Sequence, residues 1–216
     1  MELVAPGLWR WAAQHPEWSP RFTWPEEVSC FLVEADSATL VLDPLVPDDA
    51  GFWDVLDDAT GERDVPVAVL LTQAAHARSA GEVARRYGAG VWGHRDARAK
   101  VSGAMFREIA GGDVVPGGAS VLELDQEPGG SGTPLYLPSH RAIAVGDVFL
   151  SVEGELRVWW GYEHDSREWY EQRLLPSLRR WLELPVERLL VAHGEQVAGG
   201  VEALAAALER PPYELE

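Results

Sequence analysis

Four short apolar runs in this chain each end on a polar or ionisable residue that is followed by a turn or by helical spacing. They are Val41-Leu42-Asp43-Pro44, Val69-Leu70-Leu71-Thr72 with its continuation Gln73-Ala74-Ala75-His76-Ala77-Arg78-Ser79, Ala142-Ile143-Ala144-Val145-Gly146-Asp147, and Leu190-Val191-Ala192-His193-Gly194. Continuous apolar runs bounded by turn residues read as strands buried on both faces, which requires helices or a second sheet to cover them. Polar groups at the ends of such strands are where the loops of an α/β protein converge on a site.

Further strands are predicted over residues 7–12, 29–34, 39–42, 67–72, 90–92, 120–124 and 135–137, besides 142–145 and 189–191. Helical spacing fits residues 48–59, 79–87, 95–106, 166–184 and 200–209. Start signals precede several of these: Asp48-Asp49 before Phe52, a capping box of Ser79 and Glu82, and Ser166 ahead of Trp169 and Tyr170. Strands dominate at first and then alternate with helices, which predicts two mostly β halves flanked by helices. The 216 residues show no repeat, no low-complexity tract and no charge block, so residues 1–216 are expected to form a single domain.

Composition narrows the function. With 46% hydrophobic and 25% charged residues and a mean hydropathy of −0.14, the chain can bury a core. Residues 65–71, among the longest apolar runs, contain Pro66 and fall far short of the roughly 20 residues a spanning helix needs. The N-terminus lacks a basic region followed by an apolar stretch, and a cytoplasmic location is expected. A formal charge of −17 repels phosphate backbones and anionic lipid, so neither nucleic acid nor membrane is expected as a partner. Cys30 is the single cysteine, which excludes an intramolecular disulfide and a multi-cysteine metal site. Lying in Cys30-Phe31-Leu32-Val33, it reads as a small core residue.

In order and spacing, these segments resemble the metallo-β-lactamase-fold hydrolases over nearly the whole chain. Val4-Ala5-Pro6-Gly7-Leu8-Trp9 resembles that family's opening strand, and residues 29–44 the hairpin leading to its buried aspartate. Tyr87-Gly88-Ala89-Gly90-Val91-Trp92-Gly93-His94 resembles the stretch after its first site helix, while Gly146-Asp147 and His193-Gly194 resemble its "GD" and "HG" motifs. The resemblance implies a four-layer αββα sandwich with the site at one edge of two sheets. It also implies a strand-end threonine followed by H-x-H-x-D-H, the source of ligands for two metals, and here that motif is broken. Anchored on Thr72, its positions carry Gln73, Ala75, Ala77 and Arg78; anchored on Gly88-Ala89, Ala75 and His76 fall on the closing Asp-His pair and one ligand survives. The histidine implied ahead of Tyr136-Leu137-Pro138 has no counterpart in residues 127–132. His140 matches a hairpin turn that supplies no ligand in the family.

What remains is His76, Asp147 and His193, with Asp43 behind them as an orienting carboxylate. Two imidazoles and a carboxylate can hold one divalent metal such as zinc. Each residue also has an ordinary structural use: His76 as a loop histidine at a helix start, Asp147 satisfying turn N–H groups or pairing with Arg78, His193 buried and bonded to Asp43 or Asp147, Asp43 closing an Asx turn. A cation at Arg78 would neutralise the remaining carboxylates without metal. Of the ten tryptophans, Trp9, Trp11, Trp18 and Trp24 lie on or behind the opening strand, and Trp159 and Trp160 follow the Asp147 strand. They read either as an aromatic pocket or as packing between helices and sheets; Trp169 and Trp181 read as core.

Two functions follow. The first is a divergent protein without the dinuclear centre, binding a small molecule or partner through Asp43, Gln73, Arg78, Trp159 and Trp160 and needing no cofactor. The second is a hydrolase of a small ester or thioester, with one metal on His76, Asp147 and His193 as the catalytic group. Substrate and oligomeric state are not encoded in these motifs.

Overall fold

The structure, a computed structural model, describes residues 1–22, 24–126, 129–160 and 167–214, with the side chains of Trp160 and Glu214 outside the description. The first half of the chain forms a sheet in the order β1 (Glu2–Ala5), β2 (Leu8–Gln14), β3 (Glu27–Ala35), β4 (Ala38–Leu42), β5 (Val67–Leu70), β6 (Gly90–Gly93) and β7 (Met105–Glu108). Its first four strands are antiparallel neighbours, and β4 through β7 run parallel, linked by α1 (Phe52–Gly61) and α2 (Ala80–Tyr87). The second half places β8 (Ser120–Val121), β9 (Leu135–Leu137), β10 (Ala142–Gly146), β13 (Arg188–Val191) and β14 (Val197–Ala198) in one sheet, ordered β14-β13-β10-β9-β8. Between them in the chain, β11 (Phe149–Val152) and β12 (Glu155–Trp160) form a hairpin, with β15 (Tyr213–Glu214) beside β12.

The period of two along each strand builds the layers. Phe31, Val33, Leu40, Leu42 and Leu70 of the first sheet meet Leu135, Leu137, Ala142, Ala144 and Leu190 of the second in one buried cluster, so the two sheets pack face to face. The alternate residues Cys30, Leu32, Val41 and Val69 point the other way, onto Leu56 of α1 and Val83 of α2. Ile143, Val145, Leu189 and Val191 likewise pack under Leu174, Leu178 and Trp181 and under Leu204 and Leu208 of α5 (Gly200–Glu209). Helix, sheet, sheet and helix form four layers, as the motifs imply.

Helix starts depart from the sequence signals. Asp49 closes a turn by accepting from the Gly51 N–H at 2.9 Å, and α1 begins only at Phe52. The Ser79 hydroxyl does not cap α2, because it accepts the Val46 N–H at 3.0 Å and ties the helix start to the loop after Asp43. Residues 95–106 do not form one helix. A 3-10 stretch, Arg95–Lys100, ends before Gly103, whose φ of 71° no helix accepts, and the chain continues into the edge strand β7. Ser166, the expected start of the fourth helix, lies outside the described residues. From Arg167 to Glu183 the chain is helical but uneven: α3 (Arg167–Trp169), a π turn (Tyr170–Leu174), α4 (Leu175–Arg179) and a 3-10 turn (Arg180–Glu183). Pro176 lacks the N–H that would close a regular turn back to Gln172, which is the physical reason for the wider π turn before it.

Candidate functional site

Asp43, Thr72, Asp147 and His193 all follow the C-terminal ends of strands, two from each sheet. Asp43 leaves β4 at a positive φ of 49°, and its carboxylate is fixed by Thr72, whose N–H donates to Oδ1 at 2.7 Å and whose hydroxyl donates to Oδ2. Two residues beyond Thr72 the chain coils into a 3-10 turn, Ala74–Ala77, which brings His76 back beneath the strand ends. Asp147 arrives from the other sheet, where β10 parts from β13 at a register shift between Ala144 and Gly146. Gly146 has φ 59°, and a Cβ there would stand 3.0 Å from Thr72 Oγ1, so a glycine permits the approach of the two sheets at this point. His193 is placed by backbone: it bridges Val28 of β3, and its carbonyl accepts the Ser151 N–H at 3.0 Å.

These elements bring together four of the residues singled out from the sequence. His76 Nδ1 lies 3.0 Å from Asp43 Oδ2, and Nε2 lies 3.0 Å from Asp147 Oδ1; His193 Nε2 stands 3.4 Å from the same Asp147 oxygen. All four side chains are nearly enclosed, His76 being 2% exposed and His193 4%. Burial alone would discharge His76, yet the Asp147 carboxylate, with Asp43 behind it, overcomes burial and the opposing Arg78 charge and pushes the ring up to about 9. Burial also opposes the charge on Asp147, but His76 and His193 hold its carboxyl well below the usual carboxylate range. His193 moves the other way, lowered by burial and further by the charges of His76 and Arg78 against the pull of Asp147. Near neutral pH the ion pairing therefore runs through His76 as an imidazolium between two carboxylates, with His193 neutral beside it.

The aromatic shell is divided. Trp24 and Trp159 both meet the His193 ring edge-on, with centroids 5.0 and 5.1 Å away, and His15 packs on Trp24 at 5.3 Å. Trp11 instead donates to the Leu45 carbonyl at 2.9 Å and packs on Phe52, while Trp9 lies against the helix side of the first sheet. Trp181 is core, but Trp169 does two things: it packs on the outer cluster and lines a cavity of about 600 Å³. Gln73, Gln126, Asp147 and Trp159 line that cavity too, so it meets the ion triad at Asp147, with His76 and His193 behind that carboxylate. Trp160 ends β12, and its side chain is outside the description. His140 sits in the turn before β10, at the opposite end of that strand from Asp147, with Nε2 3.1 Å from the Pro6 carbonyl oxygen. His94 opens the 3-10 stretch after β6, its Nδ1 accepting the Asp96 N–H, and takes no part in the site.

Arg78 does not pair with Asp147, which faces the two histidines instead. Its Nε and Nη1 are buried without a hydrogen-bond partner among the described residues, and the same holds for Trp159 Nε1 and His193 Nδ1. A buried polar group left unmet costs about 1–3 kcal/mol, and more when charged. Sequence reasoning did not reach His15, Gln126 or the Thr72 clamp on Asp43. The last was foreshadowed by a threonine and an aspartate closing two adjacent parallel strands, the other two by nothing in their own segments.

Two metals do not fit this donor set. His76, Asp147 and His193 offer donor atoms within 4.8 Å of one another, and the described residues contain no second such group of three. One metal has the right donor chemistry, two imidazoles and a carboxylate, but both His76 nitrogens already face carboxylates.

No protein-family model matches the chain, and no curated protein does. Solved structures do. A metallo-β-lactamase family protein from Thermus thermophilus aligns with a TM-score of 0.60 at 18% identity, over 96% of this chain and 78% of that one. An archaeal metallo-β-lactamase superfamily protein from Sulfolobus tokodaii aligns at 0.62 and 16%, over 94% and 85%. The DIM-1 metallo-β-lactamase, solved after exposure to ceftazidime, aligns at 0.65 and 14%, over 96% and 95%. Identities this low carry the architecture and leave the chemistry to the site. With its paired sheets, flanking helices and strand-end site, the chain has the metallo-β-lactamase fold.

Proposed function

We propose that this protein binds a small molecule at the strand-end cavity and does not perform two-metal hydrolysis. One observation carries the reading: His76 bridges Asp43 and Asp147 at 3.0 Å on either side, so Asp147, the carboxylate left at a ligand position, and Asp43 behind it are engaged by a ring within the protein. The residues on the broken motif agree with it, since Gln73, Ala75, Ala77 and Arg78 offer no imidazole or carboxylate. The adjoining cavity, about 600 Å³ and lined by both apolar and hydrogen-bonding groups, is of the size that takes a metabolite.

The convergence of His76, Asp147 and His193 within 4.8 Å favours a second reading, a hydrolase of a small ester or thioester using one divalent metal such as zinc. Those three residues would hold the ion, which would supply a water polarised toward hydroxide. Asp43 would then orient His76 through Nδ1.

Elemental analysis of protein purified without chelator, together with the His193→Ala variant, separates the two. The binding reading expects trace metal only, unchanged by the substitution. Stoichiometric zinc, iron or manganese that disappears in His193→Ala would establish the hydrolase reading instead.

A further inference from the structure

The lining of the cavity includes a glycine-rich loop, Gly129-Gly130-Ser131-Gly132, and Lys100. Side chains and a neighbouring turn fix the loop. Gln126 donates its amide to the Gly132 carbonyl at 2.8 Å and accepts the Gly132 N–H at 2.5 Å. The Ser131 carbonyl accepts the Ala74 N–H, and the Ser131 hydroxyl donates to Gln73 Oε1, each at 3.3 Å. Two donors are left over, because the N–H groups of Gly130 and Ser131 meet no acceptor among the described residues. Three of the four positions carry no Cβ, so a ligand can approach this backbone closely.

Lys100 ends the 3-10 stretch Arg95–Lys100, which Ala97 seats in the same core cluster as Ala74 and Ala77 of the His76 turn. It is exposed, it is the single lysine of the chain, and its ammonium forms no ion pair or hydrogen bond with a described residue. The carboxylates of the lining are matched instead. Asp147 faces His76 at 3.0 Å, Asp125 stands 3.6 Å from Arg173 and 3.8 Å from Arg180, and Asp96 lies 3.8 Å from Arg95. The charge without a counterion on this lining is therefore a cation, and it is accessible. Leu124, Val148, Trp159 and Leu174 add an apolar wall to the same cavity.

We propose that the cavity binds an amphipathic anion: its oxyanion, a carboxylate or a phosphate, is received by Lys100 and the N–H groups of Gly130 and Ser131, and its apolar body lies on the wall that includes Trp159. This deepens the small-molecule reading and rests on it. Lysine is a point charge on a flexible stem, and backbone N–H groups accept any anionic oxygen, so the two headgroups are told apart by titration and not by geometry.

The test uses the full chain labelled with 13C-lysine, the same preparation having been assayed for metal. With a single lysine, the ε-methylene signal belongs to Lys100 without any variant. Phenylacetate, phenyl phosphate, 2-phenylethanol and 2-phenylethylamine share one apolar body and differ in headgroup charge; each is titrated at constant ionic strength, with affinities taken from calorimetry. The expected result is a saturable shift of the Lys100 signal with one or both anions, which bind more tightly than the alcohol and the amine. Lys100→Gln should weaken anion binding roughly tenfold and leave the alcohol unchanged, while Lys100→Arg, which keeps the charge, should retain it to within about threefold. Response to phenylacetate alone assigns a carboxylate ligand, and response to phenyl phosphate alone a phosphate ester. Metal-free protein that binds the alcohol or the amine as tightly as the anions, that binds an anion without moving the Lys100 signal, or that binds none of the four overturns this inference and leaves the small-molecule reading standing. Protein carrying stoichiometric metal overturns that reading first.

Discussion

The proton on His76 ties this site to pH. The folded ring keeps it up to about 9, whereas an unfolded imidazole releases it near 6.5. Below 6.5 both states are protonated and the ion triad contributes fully; between 6.5 and 9 only the folded chain holds the proton, so stability falls as pH rises. The loss is on the order of 3 kcal/mol at most for a shift of this size. His193 acts on the other side: its folded value lies below 6.5, so under acid the unfolded state takes that proton first and stability falls again. A melting profile from pH 6 to 10 should therefore decline on its alkaline limb, and His76→Gln should flatten that limb. A wild-type profile level across this range would contradict the imidazolium. Cys30 gives a second residue-scale expectation. Burial raises its thiol to about 12, and it accepts the Leu45 N–H at 3.2 Å, so it should resist an exposed-thiol reagent at pH 8 and react only on unfolding.

Among the elements, the joint between β13 and β11 is tight. Gly194 has φ 86°, and a Cβ placed there would lie 2.1 Å from the Ser151 carbonyl oxygen. Gly194→Ala must push β11 away from His193, and a loss of about 2–4 kcal/mol is expected from overpacking and a disfavoured φ together, read as the urea midpoint. How much of this architecture the sequence disclosed depended on how each element is stabilised. β3, β4, β9, β10 and β13 are buried on both faces, and their apolar runs announced them. β7 is an edge strand of mostly exposed residues, paired to β6 by backbone with Arg107 over the Trp92 ring, and its composition resembles a helix. The β11–β12 hairpin had a legible turn in Glu153-Gly154, whose φ values of 52° and 78° suit a two-residue loop, but its short strands were not recognised. Of the site, the strand-end residues His76, Asp147 and His193 could be gathered because parallel strands align their C-terminal ends. Partners fixed by loop conformation, His15 and Gln126 among them, could not.

For the molecule as a whole, the charge of −17 and an isoelectric point near 4.7 set a background that repels anions at a distance, so any oxyanion must be captured by a local cation. Raising ionic strength should accordingly weaken this repulsion, and the protein should pass through heparin or DNA resin unretained at physiological salt; retention there would reveal a basic face that the arginine distribution does not suggest. The placement of His193 has a consequence of another kind. Its backbone bridges Val28, the neighbouring Ser29 N–H donates to the Ala192 carbonyl at 2.8 Å, and the Ser151 N–H donates to the His193 carbonyl, so the histidine behind the pocket-lining Asp147 and Trp159 is also a seam between the two halves of the sandwich. A guest that presses on Asp147 and Trp159 presses through them on this seam, and its occupancy should be audible far from the guest, as slowed amide exchange at Ser29 and Ser151.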